Sequence, residues 1–102
     1  MTTQIDAQAT TLIVNALCFI KRDTTEDAAE AVRIVGSFIN EKAKISEVCR
    51  MHDKLVKSSA SFAAERLLCA LVRAIDGSEI RCVQEAVYEA IFAAGESRLV
   101  KA

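Results

Sequence analysis

Residues 58–77 read SSASFAAERLLCALVRAIDG, and this stretch decides the fold. Ala63, Ala64, Leu67, Leu68, Leu71, Val72, Ala74 and Ile75 recur at helical spacing. The apolar face is wide, so a helix over roughly residues 60–75 is expected at the centre of the fold. Ser58, Ser59 and Ser61 precede it, and any of these hydroxyls can cap it. Asp76–Gly77 closes it, because glycine takes the left-handed stop without a Cβ penalty.

The same periodicity extends outward. Ile45, Val48, Cys49, His52, Leu55 and Val56 predict a helix over about 45–57. Ala28, Ala31, Val32, Val35, Phe38 and Ile39 predict another over about 24–41. At about 100° per residue the two faces differ by at least roughly a quarter turn. A break near Asn40–Lys44 is therefore expected, although neither Gly nor Pro marks it; one long bent helix is the alternative. Thr24 with Asp27 forms a loose capping box, and Glu26, Asp27 and Glu30 suit the positive end of the helix dipole. A first helix over about 4–21 presents Ile5, Ala9, Leu12, Ile13, Ala16 and Ile20. A fifth starts after a Ser78 cap, presents Ile80, Val83, Val87, Ala90, Ile91 and Ala94, and stops at Gly95, leaving 96–102 as a short tail. The fold class is all-α: a compact bundle of about five short helices in hairpins, one domain over residues 1–102.

Composition agrees. The chain has 102 residues, 52% hydrophobic and 26% charged, which excludes a disordered chain. No Pro and three Gly leave too few turn formers for a sandwich or barrel. A chain this size folds to roughly 5,700 Å² of surface, enough for one core. The net charge of −1 draws it toward neither nucleic acid nor an acidic membrane. The charges are segregated, however. Lys42, Lys44, Arg50, Lys54 and Lys57 form a basic middle between acidic stretches at 23–30 and 76–96. That middle is a candidate basic docking surface.

The chemistry of catalysis is thinly represented. Cys18, Cys49, Cys69 and Cys82 stand singly, so no Cys-x-x-Cys metal or redox pair exists. Cys18, Cys69 and Cys49 fall in apolar runs, where a thiol acts as a small hydrophobe, and reduced thiols suggest a cytoplasmic location. Asp6 precedes the first apolar run and no Lys or Arg does, so no secretory leader is expected. The run Leu12–Ile20 is too short to span a bilayer. His52 is the single histidine; beside Cys49 it offers at most two ligands, short of a structural metal site. Glu26 with Glu30, and Glu85 with Glu89, are i,i+4 carboxylate pairs on helices whose inner faces are apolar, so they are expected to face water. No catalytic residue, metal or cofactor is expected.

Two binding classes remain. Ile45–Leu67 begins like a helix-turn-helix, but the turn lacks a glycine and the next helix starts late for a tight turn. That next helix is also too apolar to lie in a groove. A DNA-binding regulator using the basic 42–57 stretch is thus the alternative reading. The preferred one follows from apolar residues the core cannot take. Val14 and Cys18 lie opposite the core face of the first helix. Tyr88 and Phe92, with Arg81 and Glu85, form a charged-bordered aromatic pair of the kind that anchors protein interfaces, though a wide core contact has the same pattern. Ala29, Gly36 and Ala43 make a small-residue seam, expected to allow close helix approach inside the fold. The expected function is a non-catalytic protein-interaction module, an adaptor or inhibitor on a larger assembly. Its partner is another protein, with a homodimer through the first helix or the Tyr88–Phe92 edge also admitted.

Overall fold

The five residues 40–44 separate two helices without glycine or proline, and their backbone explains how. Glu41 takes a left-handed conformation (φ 63°). This lets Lys42 N–H reach Ser37 O at 2.7 Å and Glu41 N–H reach Phe38 O at 3.0 Å, the paired bonds of a Schellman stop. The same motif recurs where the sequence predicts it: Gly77 (φ 77°) follows the central helix, and Ser78 N–H bonds Arg73 O at 3.0 Å.

The computed structural model describes residues 5–20, 25–58 and 61–101, with residues 96–101 described for their helical backbone only. Five helices result: α1 Ala7–Ile20, α2 Glu26–Ile39, α3 Ile45–Ser58, α4 Phe62–Ile75 and α5 Ile80–Lys101. Among the described residues there is no strand. Asp6 sets the start of α1 by accepting Gln8 N–H on Oδ1 at 2.9 Å. Thr25 caps α2 through Ala28 N–H at 3.2 Å; the expected cap, Thr24, lies outside the described residues. Glu47 Oε1 reaches back to Lys44 N–H at 3.2 Å, half of a capping box at the head of α3. Of the three serines before α4, Ser61 is the cap, accepting Ala64 N–H at 3.2 Å.

α4 lies at the centre. It packs against each of the other four helices, with α2 and α3 against it and α1 and α5 flanking it as well. Leu67, Leu68, Cys69, Ala70 and Leu71 are all buried, a run that passes round the whole helix. One core cluster draws on all five helices. The surface is 6107 Å², somewhat above the sequence-based figure, as suits a prolate body of 44 × 24 × 21 Å.

Four expectations need correction. α3 is turned: Val48, Met51 and Leu55 are buried, whereas Cys49 and Val56 are exposed. Gly95 does not end α5, which continues to Lys101, so residues 96–101 are helix and not tail. Glycine stops a helix by swinging to positive φ, and only Gly77 among the described glycines does so. The small-residue seam is not a close packing line: Ala29 is exposed, and among the described residues nothing lies within 4 Å of a Cβ built on Gly36. α5 itself begins at Ile80, with Glu79 O taking Cys82 N–H at 2.9 Å, one residue past the expected Ser78 cap.

Candidate functional site

Steps of four, three and four residues put Arg81, Glu85, Tyr88 and Phe92 on one stripe of α5. Val83, Ala86, Val87, Ala90 and Ala94 fill the core from the opposite side. Tyr88 is therefore 59% exposed and Phe92 69%. Both belong to the surface, not to a wide core contact. Arg81 and Glu85 border them, with Arg81 3.7 Å from Glu79 and Glu85 3.5 Å from Arg73. Val14 and Cys18 are also exposed, one turn apart on α1, which packs along α5.

The neighbouring edge of α4 adds residues that sequence reading missed. Arg66 donates to Glu65 at 2.6 Å and crosses to Glu89 on α5 at 3.1 Å. Its guanidinium sits 5.5 Å over the Phe62 ring. The Glu65 hydrogen bond, helped by Glu89 and opposed by partial burial, holds Arg66 charged well above the ordinary arginine range. Lower on the hairpin, Arg73 donates to Cys82 O at 2.7 Å. These two crossings fix an antiparallel register in which Phe62, 59% exposed, stands level with Phe92. The Phe62–Arg66 spacing of i,i+4 was the available signal. Glu85 and Glu89, read from sequence as solvated carboxylates, are exposed, and each also pairs with an arginine of α4.

The basic residues lie on the far side. Among the described residues α2 and α3 make no contact with α5. Lys42 and Lys44 are exposed in the α2–α3 turn, and Arg50, Lys54 and Lys57 form an exposed stripe on α3. Lys54 pairs with Glu30 of α2 at 2.9 Å. That hydrogen bond and the charge of Glu30 raise the Lys54 pKa above the ordinary lysine value. Ser58 meets Asp27 at 3.4 Å. The acidic start of α2 thus partly neutralises the end of α3. Further along, an open cleft of about 310 Å³ lies between the two helices, lined by Glu30, Arg33, Ile34, Glu47, Arg50, Met51 and Lys54.

The remaining chemistry is sparse. All four thiols are free. Cys69 is buried; Cys18 is exposed, in keeping with its place opposite the core face of the first helix, and Cys82 and Cys49 are exposed too, Cys49 against the expectation of an inward face. Among the described residues no three His, Cys, Asp or Glu side chains gather as a metal site. His52 Nε2 is buried without a hydrogen-bond partner among the described residues. Among the described residues no helix is long and apolar enough to cross a membrane. α3 runs to Ser58 and α4 starts at Phe62, so three residues separate them, against the expectation that the next helix would start too late for a tight turn. Comparison with known proteins adds nothing to this geometry: no family model, no curated protein and no solved structure matches the chain.

Proposed function

We propose that the chain is a non-catalytic protein-interaction module, a small adaptor or inhibitor that docks on a larger protein assembly through the Arg81–Glu85–Tyr88–Phe92 stripe. One observation carries this reading. The chain has five aromatic residues, and Phe19, Phe62, Tyr88 and Phe92 are exposed while Phe38 alone is buried. Isolated exposed apolar groups are ordinary, but an exposed aromatic pair one turn apart and bordered by charge has the composition of an interface anchor. The core is filled mainly by Ala, Val, Leu and Ile, with Phe38 its one aromatic residue. The exposed Lys42, Lys44, Arg50 and Lys57 would steer an acidic partner toward the module.

The DNA-binding alternative draws on the same basic residues. Weighing against it, α4 is enclosed by its neighbours, and its two arginines are tied to Glu89 and Glu85. A helix so engaged has little face left for a groove.

The test is quantitative affinity purification from the expressing cells with the wild type and with Phe92→Ala and Tyr88→Ala. A protein that co-purifies with the wild type and is lost from both variants, with unchanged thermal unfolding, supports the proposal. Co-purification unaffected by either variant refutes it. Binding to duplex DNA that falls steeply with salt and weakens in Lys57→Glu would favour the alternative.

A further inference from the structure

The cleft between α2 and α3 combines charge with an apolar floor. Ile34 and Met51 form its floor, and both are nearly buried. Arg33 enters from α2 and Arg50 from α3. The Lys54–Glu30 crossing sets the antiparallel register that brings these two arginines level. Lys54 and Glu30 neutralise each other. Glu47 also lines the cleft, with Oε1 turned to Lys44 N–H. Among the described residues neither Arg33 nor Arg50 makes an ion pair or a hydrogen bond. Two guanidinium groups thus flank one opening, each with its donors unspent.

From this geometry we infer that the cleft is a docking site for a short acidic segment of a partner protein, with a carboxylate between Arg33 and Arg50 and an adjacent apolar side chain on Ile34 and Met51. The guanidinium fork matches a carboxylate, and a bound anion relieves the repulsion between the two cations. A cleft of about 310 Å³ takes a few side chains and not a folded surface. Nucleic acid fits less well. Its backbone follows a continuous basic track, whereas Glu30 and Glu47 interrupt this one. The site is remote from the α5 stripe and does not rest on it.

Selection of a random heptapeptide phage library on the full chain tests the inference. Enriched peptides are expected to carry Asp or Glu beside an apolar residue, and synthetic copies should bind about tenfold more weakly to Arg33→Gln/Arg50→Gln. The control Arg81→Gln, on α5, should bind like the wild type. Both cleft arginines are exposed, so the double variant should keep its circular dichroism and melting temperature. Lack of enrichment, peptides without acidic residues, or binding indifferent to the double variant would overturn the site. So would displacement of the peptide by a single-stranded oligonucleotide of equal charge and comparable affinity. Loss of Phe92-dependent partner binding with this peptide selection intact would remove the α5 reading alone.

Discussion

Truncating two phenylalanines separates the core from the docking face. Phe92 is 69% exposed, so it buries only about a third of its surface. Full burial of such a side chain contributes about 1.5–3 kcal/mol, which leaves roughly 0.5–1 kcal/mol at stake in Phe92→Ala. Alanine is the better helix former by about 0.5 kcal/mol and offsets much of that loss. The net change should stay within about 0.5 kcal/mol, or about 4 °C in melting temperature for a domain of this size. Phe38 is only 8% exposed. Phe38→Ala leaves a cavity in the core and should cost about 3–5 kcal/mol, lowering the melting temperature by more than roughly 12 °C. Urea and thermal unfolding followed by circular dichroism read both, with unchanged m-values as the check that the native state is intact. A loss of roughly 3 kcal/mol or more in Phe92→Ala would put Phe92 in the core and remove the basis for the α5 docking face.

One substitution should act with opposite sign at two glycines. Gly36→Ala, inside α2 with open space at Cβ, should stabilise by about 1 kcal/mol, whereas Gly77→Ala, at φ 77°, should destabilise by about as much; shifts of the same sign in thermal melts would contradict the Schellman assignment. Glu30 raises the pKa of Lys54, so their pairing stabilises fully below pH 10.5 and is lost as pH climbs through the Lys54 titration. NMR titration of the Lys54 ammonium should move down in Glu30→Gln, and an unmoved midpoint would deny the pairing. His52→Leu should raise urea-measured stability by about 1 kcal/mol, because it removes an orphaned buried ring nitrogen; a loss would mean that Nε2 has a partner.

Much of the fold was legible because helical periodicity and end chemistry are local. The Leu67–Leu71 run announces a helix packed on several sides, and the phase change across 40–44 announces the α2–α3 break. The stop at Gly77 needs nothing beyond its neighbours. The Tyr88–Phe92 pair could be singled out too, since it lies off the Ile80–Ile91 stripe. Whether that pair was covered could not be read, because coverage depends on which helix packs beside α5.

The residues themselves determine five amphipathic helices, where most begin and stop, and an aromatic pair at Tyr88 and Phe92 off the core stripe of the last one. Tertiary packing alone decided which rim of α3 turns inward, so that Met51 is buried and Cys49 is not. It also decided that Glu85 and Glu89 meet Arg73 and Arg66, and that Arg33 faces a cleft with Arg50. The reason is range. A hydrogen-bonded turn is settled within about four residues of chain, whereas these pairings join side chains 12 to 23 positions apart, whose register exists only once α4 has gathered its neighbours.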